Sequence, residues 1–232
     1  MIVTGVDACK GGWTAVTLDA GGARERTRVR VRVGRTLGDL DLAGVTGIDM
    51  PLGLLGDGWR TADALARRAL GARGVTVFAI PPRPVWDCAN YAAANATCRK
   101  LTGRGMSAQA WGLRARLLEA DAVRADALQA DTVQSDRAPL YEVHPELAFA
   151  ALAGAPLAAS KHSADGLAAR RSLLAGTGIA LPAGRVAGAA EDDVLDAAAV
   201  AWSAARIASG TAVVLTDPSQ RADDGGEIAI RY

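Results

Sequence analysis

Acidic residues interrupt or close apolar runs at several separate points of this chain, and any chemistry it performs starts from them. Asp7 follows the apolar residues 2–6, Asp49 follows Val45–Ile48, and Glu142 lies within residues 140–143. Further along, Asp193 and Asp196 stand three apart, a spacing that puts both on one face of a helix while Val194, Leu195, Ala198, Ala201 and Trp202 serve its core face. Carboxylates gathered at one mouth repel. Two full charges about 4 Å apart cost roughly 4 kcal/mol at an effective dielectric near 20, so such a cluster must be protonated, separated or neutralised by cations. Hard oxygen donors without a Cys or His majority select Mg²⁺ or Mn²⁺ over Zn²⁺. A pair of such ions about 3.5–4 Å apart activates a water and stabilises the leaving oxygen of a phosphodiester. Asp7, Asp49, Glu142, Asp193 and Asp196 are therefore the candidate catalytic and metal-binding residues.

Each acid also has a structural reading. Asp7 precedes a Gly-rich turn and Asp49 precedes Met50-Pro51, positions where an aspartate ends a strand or forms a turn. Glu142, inside a short apolar strand, needs a partner wherever it points. Glu191 and Asp192 are explained as helix-start acids, and Asp193 shares that explanation; Asp196, a turn further in, does not. Glu146 follows Pro145 in another first turn. Weaker candidates for substrate contact are Lys10, Arg83, His144, Glu146 and Lys161. The three cations are either phosphate contacts or solvated surface charges, and His144 is either a general acid beside Glu142 or the cap of the next helix. Trp59, Trp86 and Trp111 are placed to stack bases or to fill a core. Cys88 and Cys98, ten apart with no His pair nearby, make a poor zinc site.

These residues need a sheet to hold them. Residues 2–7, 13–18 and 27–33 are short, rich in Val, Ile and Thr, and punctuated by Gly11-Gly12 and Gly21-Gly22, which predicts an antiparallel meander. A fourth strand runs over 45–49 and a fifth over 140–144, with 36–42 long enough for one or two helical turns. Helices are predicted over 60–70, 92–126, 163–175 and 191–209, and edge strands over 213–215 and 228–232. Alanine marks neither face of a helix clearly, and it fills much of these segments. The pattern predicts an α/β domain, a mixed sheet flanked by helices, in which ligands collect beyond the carboxyl ends of parallel strands.

Composition bounds the function. The chain has 232 residues, 50% of them hydrophobic, and 26 Lys plus Arg against 25 Asp plus Glu leave a net charge of +1. That balance excludes a disordered polyelectrolyte and a strongly basic nucleic-acid coat. Three cysteines are too few and too odd for a secreted disulfide scaffold, so a reducing cytoplasm is expected. The first residues do not read as an export signal, and no apolar run reaches 18 residues, which disfavours membrane spanning. The length suits one domain, residues 1–232, with an insertion at about 56–138.

Several strings carry a family resemblance. Gly5-Val6-Asp7-Ala8-Cys9-Lys10-Gly11-Gly12-Trp13, Gly47-Ile48-Asp49-Met50-Pro51-Leu52-Gly53-Leu54, Tyr141-Glu142-Val143-His144-Pro145-Glu146 and Asp192-Asp193-Val194-Leu195-Asp196-Ala197 look like the motifs of a prokaryotic family of unknown function described as predicted RNase H-like nucleases. The similarity extends to Phe78-Ala79-Ile80-Pro81-Pro82-Arg83 and Lys161-His162-Ser163-Ala164-Asp165-Gly166. It implies an RNase H-like, RuvC-like fold: three antiparallel strands, then parallel strands beside the first, a helical insertion between the fourth and fifth strands, and a terminal helix carrying a catalytic acid. By this resemblance Asp7 matches the first-strand aspartate, Asp49 the fourth-strand acid, and Asp193 with Asp196 the paired helix acids. Glu142 resembles this family's own motif. The insertion and the Glu-Val-His-Pro-Glu string are not shared with simple RNase H enzymes. The implied function is a Mg²⁺- or Mn²⁺-dependent nuclease acting on DNA or RNA. The alternatives are a nucleotide-binding phosphotransferase or phosphohydrolase related to actin-like kinases, and a non-catalytic binding domain retaining the fold.

Overall fold

Runs rich in β-branched residues, buried on both faces, and a tight glycine turn make the first hairpin. In the computed structural model, which describes residues 1–19, 27–130 and 139–232, β1 (Ile2–Cys9) turns at Lys10-Gly11 into β2 (Gly12–Asp19). The two pair antiparallel from Ile2↔Asp19 to Cys9↔Gly12. Because pairing continues to the very turn, Asp7 lies inside β1 opposite Thr14 and does not close the strand. The expected Gly21-Gly22 turn lies outside the described residues. β3 (Arg28–Gly34) pairs antiparallel with β2, while β4 (Val45–Ile48) runs parallel to β1 and β5 (Leu140–Glu142) parallel to β4. The order β3-β2-β1-β4-β5 gives a mixed five-stranded sheet flanked by helices, the arrangement that the family resemblance implies. On β3 the exposed Arg28, Arg30 and Arg32 alternate with Val29 and Val31, which pack towards the core.

Two compact units emerge among the described residues. One comprises Met1–Met50, Asp136–Val213 and Arg231–Tyr232, and the other Pro51–Ser135 and Val214–Ile230. Residues 56–135 of the expected insertion thus fall in the second unit, which also takes the chain from Val214 to Ile230.

The first unit packs α6 (Pro145–Ala153), α7 (Ala164–Gly176) and α8 (Glu191–Ala208) with its sheet. Val3, Val16, Phe149, Leu174 and Leu195 meet in its core together with a run of α8 alanines. Ala197, Ala198, Ala199, Ala201 and Ala204 are all buried. The alanines that blur the amphipathic pattern are what let this helix approach the sheet closely: a Cβ placed on Gly5 would stand 2.1 Å from Ala201 N and 2.2 Å from Ala197 O. Backbone cannot yield there, so any side chain at residue 5 would lift α8 off β1.

The second unit holds α1 (Thr61–Leu70), α2 (Arg83–Trp86), α3 (Tyr91–Thr102), α4 (Ala108–Gly112) and α5 (Arg114–Ala130). The single helix expected over 92–126 is thus three. α3 stops at Gly103 in the left-handed region (φ 76°), whose N–H donates to Arg99 O, and Ser107 caps α4 by accepting from Ala110 N. The expected edge strands are also different. β6 (Val214–Arg221) and β7 (Glu227–Arg231) pair with each other in a separate two-stranded sheet, closed by Ala222 N donating to Gly226 O. No described helix is long and apolar enough to cross a membrane.

Candidate functional site

Parallel pairing of β1 with β4 brings two of the acids side by side. Val6 pairs with Ile48, and Asp49 N donates to Val6 O at 2.8 Å, so Asp7 and Asp49 are the next residues along neighbouring strands. By alternation they share the sheet face of Gly5 and Gly47. That is the face α8 covers, since a Cβ on Gly47 would meet Val200 Cγ1 at 2.9 Å. The close seat of α8 delivers Asp196, 2% exposed, to Asp7, 5% exposed, and to the half-buried Asp49.

The three carboxylates burden one another. Burial raises Asp7 well above the ordinary carboxylate range, and the charges of Asp49 and Asp196 raise it further. Burial lifts Asp49 to about 7, with Glu142 and Glu146 adding to it, while Lys161 and a side-chain hydrogen bond shared with Asp7 hold it down. Asp196 is raised to about 6, again by burial first, against the pull of Lys161. Lys161 is the counterweight: its Nζ lies 2.6 Å from Asp196 Oδ2. Burial works against its charge, but Asp196, Asp7 and Asp49 together keep the ammonium more firmly protonated than an ordinary lysine. One ammonium therefore serves three carboxylates. Asp7 Oδ1 also accepts from Ala8 N at 2.7 Å. Asp196 Oδ1 is buried and accepts no hydrogen bond from a described residue.

The family described as "Protein of unknown function (DUF429)" matches residues 5–221. The chain belongs to the DUF429 family. That match covers every residue of the cluster. No curated protein matches the sequence. Among solved structures, "Thermus thermophilus RuvC structure" is similar at 16% identity and a TM-score of 0.38, covering 91% of this chain and 98% of that one.

Of the other expected site residues of this DUF429 chain, Lys161 joins the cluster and the rest are placed differently. Glu142 is buried but pairs with Ile48, which by alternation turns it to the opposite sheet face from Asp7 and Asp49; its charge nonetheless reaches Asp49. Asp193 caps α8, its Oδ2 accepting from Ala190 N at 3.0 Å, and is the weakest of the influences named on Asp7. Glu146 forms a buried ion pair with Arg170, Oε1 to Nη2 2.6 Å, although its charge still acts on Asp49 and Asp196. Lys10 is exposed in the β1–β2 turn. His144 starts α6 through its carbonyl oxygen, which accepts from Leu147 N and Ala148 N; its side chain does not cap the helix. Lys161 is a partner of Asp196 and not a solvated cation. Arg83, in the second unit, is engaged by Asp121 at 2.7 Å and by Asp223, so it is no free phosphate contact. Trp86 is buried, donates Nε1–H to Pro81 O and stacks on Trp111 at 6.2 Å, as a core residue does. Trp59 lies under the Arg104 guanidinium, 4.1 Å from its ring centre.

Arg170 is the neighbour of the cluster that sequence reasoning misses. It is fully buried, and besides Glu146 it binds Gly166 O and Ala159 O, tying α7 to the segment that carries Lys161. Nothing in the sequence separates it from the half-exposed Arg171 beside it.

Donor chemistry in this cluster suits Mg²⁺ or Mn²⁺: oxygen atoms only, one of them on Asp196 without a hydrogen bond. Among the described residues no three His, Cys, Asp or Glu side chains already stand around one point as metal ligands. The carboxylates are gathered about an ammonium instead.

Proposed function

We propose that this chain is a metal-dependent phosphodiesterase acting on nucleic acid, with Mg²⁺ or Mn²⁺ held by Asp7, Asp49 and Asp196. The observation that carries the reading is the charge mismatch: three buried or half-buried carboxylates at the mouth of two parallel strands, with Lys161 their shared cation. Acids kept together at such cost are characteristic of sites that bind cations or move protons. The motif strings support the substrate class, because they resemble a family described as predicted RNase H-like nucleases.

A bound divalent ion would supply Lewis-acid stabilisation of the charge that develops on phosphate oxygens. The protein's own groups do the positioning. The Ala8 amide fixes the Asp7 carboxylate, Lys161 fixes Asp196, and Asp49 keeps surface open to solvent where a phosphodiester would enter. In the hydrolysis a water oxygen bonds to phosphorus and gives up a proton, one phosphorus–oxygen ester bond breaks, and the departing alkoxide takes up a proton, so that protons balance. Glu142 influences the site through its charge from the other sheet face, and Asp193 through the helix it caps.

The test is cleavage of single-stranded, duplex, hybrid and branched substrates in Mg²⁺ and in Mn²⁺ by the wild type, Asp7→Asn and Asp196→Asn. Even partners of metal ligands are typically worth 10–100-fold, so each variant should lose at least ~100-fold. Cleavage that persists undiminished in both variants places the chemistry elsewhere. Absence of cleavage and of metal binding in the wild type returns the chain to a non-catalytic domain.

A further inference from the structure

We infer that Lys161 stands in for a second cation, so that the cluster takes a single divalent ion beside the lysine ammonium and not a pair of ions. The inference rests on the reading above and deepens it. Its basis is the way Lys161 is held. The lysine sits between α6 and α7 on a segment whose backbone is pinned on both sides of it. Arg170 Nη1 donates to Ala159 O at 3.3 Å, Ser163 N and Oγ both donate to Ser160 O at 3.1 and 2.8 Å, and His162 N donates to Ser160 Oγ at 3.3 Å. Arg170 in turn is fixed by its buried pair with Glu146. The ammonium is thus delivered by an anchored backbone, with its side chain 33% exposed and that of its partner Asp196 3% exposed.

Charge and geometry agree. Ligand carboxylates are ionised when a metal binds, and the three charges of Asp7, Asp49 and Asp196 are balanced to zero by one ammonium and one divalent ion. A second divalent ion beside the ammonium would take the cluster two charges past neutrality in a buried place, which is costly; with the ammonium removed, two ions lie no further from neutrality than one. Lys161 occupies Asp196 Oδ2, while Oδ1 of the same carboxylate is buried without a hydrogen bond and remains open to an ion. Asp196 would then keep the lysine on one oxygen and offer the other to an ion, and the lysine would be part of the resting charge balance, where a second ion would otherwise be needed. Its three donors and compact charge suit that role.

Counting bound ions tests this. Mn²⁺ is titrated into the full chain near neutral pH, with free Mn²⁺ followed by electron paramagnetic resonance and the heat by calorimetry. The wild type should bind one ion per chain. Lys161→Met, which keeps the stem and removes the charge, should bind two, and Lys161→Arg, which keeps the charge, should bind one. Two ions in the wild type overturn the inference while leaving the proposed function standing, and this arm does not depend on any variant folding. One ion in a folded Lys161→Met overturns it as well. No binding to wild type, Lys161→Met or Lys161→Arg overturns the proposed metal site itself, and the inference falls with it.

Discussion

The two units of this chain use the same residue types to opposite effect. In the second unit the acids meet guanidinium groups: Asp63 lies 3.2 Å from Arg60, Asp121 and Asp223 flank Arg83, and Asp224 lies 3.4 Å from Arg124. Asp223 is accordingly held below the usual carboxylate range, by its hydrogen bond from Arg83 first. In the first unit Asp7, Asp49 and Asp196 share Lys161, and all three are raised. Matched charges build structure. A mismatch kept at the end of parallel strands is what the proposed cation site requires, and stability measurements can separate the two cases.

The largest contrast is between Asp63 and Asp7. Asp63 is buried, pairs with the buried Arg60 and accepts from Ile80 N at 2.9 Å. Removing one partner of such a pair leaves a buried charge without its counter-ion, so Asp63→Asn should lower unfolding free energy by about 3–5 kcal/mol. Asp7→Asn should do the reverse in the absence of metal. The amide oxygen can still accept from Ala8 N, while the repulsion from Asp49 and Asp196 disappears, so the melting temperature should rise. Denaturant and thermal melts in chelator give both values. A loss in Asp7→Asn comparable to that in Asp63→Asn would make the cluster an ordinary structural pairing and erase the contrast.

Dependence on pH sharpens the same point at smaller amplitude. A carboxyl whose folded value is raised binds its proton more tightly folded than unfolded. Its contribution to stability is therefore complete below the unfolded value near 3.8 and is lost as pH rises through about 6 for Asp196 and about 7 for Asp49. Asp223 has the opposite sign, contributing above the unfolded value and losing that contribution as pH falls through its lowered one. The metal-free chain should therefore melt several degrees lower at pH about 8 than at about 5.5, and saturating Mn²⁺ should flatten this slope. A metal-free profile that rises between those values would show that the three acids are not raised.

How much of this was legible in the sequence follows from which interactions are local. Asp7 and Asp49 stand out because short apolar runs rich in Val, Ile and Thr announce strands, and an acid directly after such a run does not fit its apolar character. Asp196 stands out because it lies too deep in its helix to be a cap. Glu142 was misplaced for a reason of register: one residue along a strand reverses the face, and no sequence pattern fixes which residue of 140–144 faces Ile48. Lys161 and Arg170 act through partners 35 and 24 residues away, so their roles exist only once α6, α7 and α8 are packed. The break between α3 and α4 is written in Gly103, Gly105 and the capping Ser107, signals that the helical spacing of Leu, Ala and Trp across 92–126 overrides, whereas the pairing of β6 with β7 has no local signal for partner choice.

The finest distinction is between Asp193 and Asp196, which spacing alone treats as equivalent. Asp193 accepts from Ala190 N at the start of α8, whereas Asp196 is gripped by Lys161 among the other acids. Asp193 acts from the third position of the helix, its oxygen accepting the Ala190 N–H as in a capping box, so Asp193→Asn retains the acceptor and loses a charge that acts weakly on Asp7. Its effect on stability should stay within about 0.5 kcal/mol, in the range of substitutions that disturb no specific feature, and its Mn²⁺ affinity should change far less than that of Asp196→Asn. Calorimetric titration of the two variants side by side decides it. Equal loss of affinity in both would move Asp193 into the cluster and return the pair of helix acids to a common role.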